Sequence, residues 1–224
     1  MIWQDKGFLL SNIKYNENSS IAEFFTENNG KVVGIIFGAS SKKLKSYLLV
    51  GNNFHINSNI RENGKIGNFK VEIDKIKTPF YLDNKKKLYC IIYAMNILKI
   101  LTVENQKNKD LYKLINYFFN LLEDDNWLLN FLFWELQIFK NIGYDINFSN
   151  YAKKININAD EKFIVESNNK IIPNYLINKN ENPKNKNEII EGFNIVGDFL
   201  DKSILKPNNL NYPSSRYDFI NLIK

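Results

Sequence analysis

Residues 20–38, SIAEFFTENNGKVVGIIFG, hold two apolar runs around a polar turn. SIAEFF (20–25) and KVVGIIFG (31–38) are rich in β-branched and aromatic residues, the composition of strands. TENNG joins them, and Asn29-Gly30 is a hairpin turn signal because both residue types tolerate the positive φ of a tight turn. The same pattern extends outward. GFLLSNIKY (7–15) precedes it, and LLVGNNFHINSNI (48–60) and IGNFKVEI (66–73) follow, joined through YNENSS and RENGK; the latter contains a second signal, Asn63-Gly64. Five short strands in about 75 residues predict a small antiparallel barrel. A five-stranded OB-like barrel fits the count, and an SH3-like barrel fits it nearly as well.

After Thr78-Pro79 the period changes. Leu88, Ile91, Ile92, Met95, Leu98 and Leu101 recur at helical spacing, as do Leu111, Leu114, Ile115, Phe118, Leu121 and Leu122. NWLLNFLFWELQIFKNIGYDINF is apolar nearly all round from Trp127 to Ile142, which predicts a helix at the centre of a bundle. Asp124, Asp125 and Asn126 are placed to cap it, and Gly143 to end it. KFIVESNNKIIP (162–173) reads as a hairpin turning at Asn168-Asn169, and NKNENPKNKN (178–187) as a polar loop. Further helices are expected from Glu188 to Ile204 and after Pro213. The fold class is therefore α+β: a barrel over 1–80, then a mainly helical domain over 81–224 with a small irregular insert at about 150–187. No internal repeat is present.

Composition narrows the function. The chain has 224 residues, 44% apolar against 24% charged, enough to bury a core and too apolar for wholesale disorder. One cysteine (Cys90) and one histidine (His55) leave neither a disulfide nor a Cys- or His-based metal centre within this chain. No catalytic constellation is expected either: there is no phosphate loop of the Walker type, no GxSxG and no HExxH. MIWQDKGFLL lacks the pattern of a signal peptide. Leu88–Leu101, interrupted by Asn96 and Lys99, is too short for a membrane span of roughly 20 residues. A soluble cytoplasmic protein is expected.

The net charge of +6 is unevenly placed. Only Arg61 and Arg216 among the basic residues are arginines, and Asn, Ile and Lys abound, a composition that resembles that of AT-rich genomes, so the number of lysines is weak evidence of function. Placement is more informative. No acidic residue lies between Glu27 and Glu62, a window that contains Lys31, Lys42, Lys43, Lys45 and Arg61. The segment GASSKKLKSY (38–47) joins two strands with small residues, three lysines and Tyr47. Small residues let a backbone approach phosphates, lysines neutralise them, and aromatics give bases a stacking surface. Phe37 and Tyr47 are the stacking candidates, set against the commoner role of strand-end aromatics in the core. His55 reads as a satisfied strand histidine and Cys90 as a core thiol. Glu123-Asp124-Asp125 reads as capping, and Lys85-Lys86-Lys87 as a solvated helix start.

Four segments in order resemble the RecO family of bacterial recombination mediators. They are WQDKGFLLSNIKYNENSS (3–20), FTENNGKVVGIIFGASSKKLKSYL (25–48), WELQIFKNIGYDINF (134–148) and ILKPNNLNYPSSRYDF (204–219). The resemblance implies an N-terminal OB-fold and a helical domain. It implies binding of single- and double-stranded DNA, annealing of complementary strands, and loading of RecA, with the partner RecR, onto strands coated by single-strand binding protein, whose acidic, Phe-ending tail is also bound. The family's basic loop maps onto Lys42 and Lys43, with Lys31 from the Gly-basic turn. Ser40 stands where the family usually has a basic residue, and Lys45 is the candidate to compensate. Tyr151 falls near the first ligand of the zinc site some relatives carry, so no metal is expected. The expected DNA-binding residues are Lys31, Lys42, Lys43, Lys45, Tyr47 and Arg61, with no cofactor and no catalytic residue. Two other readings fit the basic barrel without the resemblance: an RNA-binding module, and a protein-interaction adaptor.

Overall fold

The central hairpin forms where its sequence places it: β2 (Ser19–Thr26) pairs antiparallel with β3 (Gly30–Phe37), Ser19 opposite Phe37 and Thr26 opposite Gly30. In this computed structural model residues 2–59, 66–157, 160–166, 169–178 and 180–224 are described. Of Asn29 and Gly30, only Gly30 takes a positive φ (+68°), and a Cβ there would collide with the Gln106 carbonyl oxygen. The turn is clamped from β1 (Ile2–Lys14). The Asp5 carboxylate accepts the backbone N–H groups of Asn28 (2.9 Å) and Asn29 (3.1 Å) and both of their side-chain amides.

Strands β4 (Asn53–Asn59) and β5 (Gly67–Lys75) complete a closed barrel in the order β1-β2-β3-β5-β4. Every pair is antiparallel except β3–β5, which is parallel. That Greek-key order is OB-like and decides between the two barrels that the strand count allowed. Alternation fills the interior with Leu9, Ala22, Phe24, Val32, Ile36, Phe54, Ile56, Phe69 and Val71. β1 starts five residues earlier than the apolar run GFLLSNIKY because its polar first half pairs with β4 instead of β2; a bulge between Leu9 and Ser11 bends it from one partner to the other. LLVGN (48–52) is a turn, not part of β4, with Gly51 at φ +91°. Asn63-Gly64 lies outside the described residues.

Contacts divide the chain into two compact units, Met1–Asn120 and Leu121–Lys224. The first runs past residue 80 because α2 (Lys85–Leu101) and α3 (Lys109–Leu121) cover part of the barrel's outer surface. Phe8 packs there 5.5 Å from Tyr112 and 6.0 Å from Phe119, ring to ring. Thr78–Tyr81 forms the 3-10 turn between barrel and α2.

The second unit is built round α4 (Trp127–Asn141), which buries Phe131, Leu132, Trp134, Glu135, Ile138 and Phe139. Gly143, at φ +100°, follows it. The sheet β6 (Ala152–Ile157), β7 (Asp160–Val165) and β8 (Ile171–Ile172) occupies much of the region expected to be irregular. The β7–β8 pair is the expected hairpin; Asn169 has φ +57°, and Asn168 is outside the described residues. A short helix α5 (Asn174–Ile177) leads to α6 (Lys186–Phe199), which continues as a π-helical stretch, Leu200–Leu205, before Pro207. The last helix, α7 (Ser214–Ile223), begins after Pro213. Arg216 on α7 is 1% exposed and forms an ion pair with the fully buried Glu135 of α4, while its other terminal nitrogen donates to the Phe193 carbonyl at 2.6 Å.

Candidate nucleic-acid interface

Barrel topology sorts the connections into two ends. β1, β3 and β5 run one way, β2 and β4 the other. The β1–β2 turn, the β3–β4 connection and the exit from β5 therefore share one end; the β2–β3 turn lies at the opposite end.

At the first end the β3–β4 connection is not a plain loop. Gly38 (φ +70°) turns the chain, and Ser41 caps a single helical turn, α1 (Lys42–Lys45), by accepting the Leu44 N–H. Leu44 packs against the barrel core, which leaves Lys42, Lys43 and Lys45 exposed together on one short helix. Among the described residues none of the three has an acidic partner within salt-bridge distance. Ser40 anchors this segment: its hydroxyl donates to Asn18 Oδ1 (2.8 Å) in the β1–β2 turn, and Ala39 N–H bonds Asn18 O (3.1 Å).

Tyr47 is half-buried against the barrel core, and its carbonyl accepts the Asn52 amide at 2.8 Å. Asn52 also accepts the N–H groups of Lys77 (2.8 Å) and Thr78 (3.1 Å), so the segment leaving β5 is tied to the lysine-bearing connection. That brings exposed Lys75, and Lys85 and Lys86 at the start of α2, to the same end, with Phe80 between them 79% exposed. The sequence alone presents Lys85 and Lys86 as a solvated helix start and gives Lys75 and Phe80 no role. They are far from Lys42 in sequence, and only the strand order shows that they share an end.

Lys31 stands apart. It is the second residue of β3, six residues before Phe37, which is about 20 Å along a strand. Its Nζ donates to the Lys99 carbonyl at the end of α2 (2.9 Å), a contact that satisfies a helix C-terminal acceptor. Arg61 lies outside the described residues. His55 Nε2 lies 2.8 Å from Asp74, whose carboxylate also pairs with Lys6 (3.1 Å), and Cys90 is buried. The Asp124 carboxylate accepts the Asn126 N–H (2.7 Å), closing the turn ahead of α4. Burial raises the Tyr112 hydroxyl above the usual phenol range, opposed by a hydrogen bond from Asn53. Among the described residues no three His, Cys, Asp or Glu side chains are placed to hold a metal ion, and no helix is long and apolar enough to cross a membrane.

An OB-like barrel with a lysine-bearing helical turn at one end, followed by a mainly helical second unit, places the chain among OB-fold proteins. Residues 1–75 match the family model "Recombination protein O N terminal", and residues 83–192 match "Recombination protein O C terminal". The chain belongs to the RecO family. The DNA repair protein RecO of Ehrlichia chaffeensis is 26% identical over 243 residues, covering all of this chain and 98% of that protein. The one from Bartonella quintana is 22% identical over 242 residues, with the same coverage. The Ruegeria protein of that name is 27% identical over 150 residues, 66% of this chain and 62% of its own length.

Proposed function

We propose that this protein is a DNA-binding recombination mediator that binds single- and double-stranded DNA at the lysine end of its barrel and anneals complementary strands. With RecR it helps to load RecA onto single strands coated by single-strand binding protein, whose C-terminal tail it also binds, and it acts in the cytoplasm. The observation that carries the DNA-binding part is the exposed helical turn bearing Lys42, Lys43 and Lys45 without acidic partners among the described residues. Membership of the RecO family supports the rest.

No covalent step is involved, and no catalytic group is assigned. Two strands repel through their phosphates. A surface with several mobile ammonium groups lowers that repulsion, and because lysines contact phosphate and not base edges, the bases remain free to test pairing. Tyr47 supports the end of this segment from the core side, and Lys31 braces β3 against α2.

The test is fluorescence anisotropy of a labelled single-stranded oligonucleotide across a salt series, with the parent and Lys42→Ala/Lys43→Ala. For about three to five phosphate contacts, log affinity falls against log salt with a slope of roughly −2 to −4. The double variant loses affinity and about 1.4 of that slope, two contacts at about 0.7 each. Salt-independent binding, or a preference for RNA over DNA of the same sequence, overturns the reading.

A further inference from the structure

The barrel's outer face beside α1 carries large apolar side chains that the fold does not use. Tyr15, Ser19 and Phe37 form one cross-strand row: the Tyr15 N–H bonds Ser19 O at 2.9 Å, and Ser19 pairs with Phe37. Ser19 is buried, whereas the two aromatic residues flanking it are 60% and 61% exposed. Two strand spacings separate them, roughly 10 Å. Ile13, in the next row on the same face, is exposed as well, and it pairs with Ile21, which pairs with Ile35. Stability does not require two exposed rings at a strand end. An exposed apolar patch of this kind marks an interaction surface.

Charge decides what occupies it. Four residues separate Phe37 from Lys42, and Lys14 directly precedes Tyr15. Glu17 is the acidic residue of the β1–β2 turn, against exposed Lys14, Lys42, Lys43 and Lys45. Flat rings beside a helical turn of ammonium groups are complementary to a chain that alternates flat bases with phosphates. Duplex DNA offers the phosphates but keeps its bases stacked inside; a single strand offers both.

We infer that Tyr15 and Phe37 are base-stacking residues that give the lysine end its affinity for unpaired strands, an inference that rests on the DNA-binding reading above. The lysines set the salt dependence for both DNA forms. The rings add affinity only where bases are unpaired, so that strands are held until they pair and are released more readily as duplex.

The experiment compares the parent, Tyr15→Ala/Phe37→Ala and Phe37→Trp by anisotropy, using a single strand and a duplex of equal length at one salt concentration. The parent salt series is run alongside. Both positions are exposed, so urea midpoints are expected to match. Loss of one stacked base corresponds to roughly fivefold to a hundredfold in affinity. The double alanine variant is expected to lose at least tenfold for the single strand, to keep the parent's salt slope, and to bind duplex unchanged; Phe37→Trp keeps or raises single-strand affinity. Unchanged single-strand affinity in the double variant, with the parent binding normally, overturns this inference and leaves the lysine reading intact. Equal losses on single strand and duplex overturn it too. If the face instead mates with a second copy, the parent sediments as a dimer and the double variant as a monomer with DNA affinity unchanged. A parent that binds no DNA overturns both readings.

Discussion

Replacing Arg216 by Met removes one half of the buried ion pair in the second unit. Glu135 on α4 is wholly buried, and Arg216 on α7 is nearly so, with its guanidinium also bonded to Phe193 O and 5.9 Å from the Phe193 ring centre. Without the guanidinium, the buried Glu135 carboxylate and the Phe193 carbonyl lose their cationic partner. Breaking such a pair from one side costs about 3–5 kcal/mol, against a total stability on the order of 5–15 kcal/mol for a domain. With a urea slope of about 2 kcal/mol/M, the midpoint of the second unit should fall by roughly 2 M. Trp134 and Trp127 lie in this unit and Trp3 in the other, so a Trp3→Phe background isolates the transition by fluorescence. Glu135→Leu/Arg216→Met removes both charges and should recover most of the loss, because the main cost is the uncompensated charge and not the missing attraction. A fall of less than about 0.5 M in the single variant, or a double variant as unstable as the two single losses added together, would refute this account.

Gly34→Ala should destabilise the first unit by about 1–3 kcal/mol, since a Cβ there lies within 2.6 Å of Phe69 ring atoms inside a closed barrel. Urea unfolding read from Trp3, whose ring centre is 5.9 Å from that of Phe69, measures it; a loss near zero would mean that the barrel relaxes at no cost. Alkaline pH should also destabilise the protein. Burial is the main cause that holds the Tyr112 and Tyr212 hydroxyls protonated above the usual phenol range, so the unfolded chain releases these protons first, near pH 10. Above that pH the unfolded state binds fewer protons and stability falls with rising pH; below it this contribution is fully present. Tyr112→Phe should show a shallower fall in urea midpoint between pH 10 and 11.5 than its parent, and an identical slope would count against the assignment.

The strands were legible where apolar alternation met turn chemistry, as in residues 20–38, and illegible where a polar residue does structural work. Asp5 shows why. It interrupts β1's hydrophobic pattern, yet it is buried, because its carboxylate gathers the N–H groups of a turn more than twenty residues away. The lysine site was half legible. Lys42, Lys43 and Lys45 are neighbours in the chain and remain neighbours in space. Lys31 shares their acid-free window but sits at the other end of β3, since one strand is long enough to carry a residue across the barrel. Lys75, Lys85, Phe80 and Tyr15 reach the lysine end only through strand order, which a single sequence does not display. The helix at α1 was hidden for a simpler reason: a four-residue turn has no room for a period.

The segments that carry the RecO resemblance do different physical jobs, and this bears on how far likeness transfers function. Thr26 and Gly30 close the β2–β3 turn that Asp5 clamps, and Glu135 and Arg216 join two helices inside the second unit. Retaining these residues retains the fold and says nothing directly about DNA. Within 38–47, Lys42, Lys43 and Lys45 face solvent with charges the fold does not need, while Ser40 ties two loops together. DNA affinity in this protein should therefore depend on the summed charge of α1, not on any one position within it: moving a lysine along the turn should matter less than removing one.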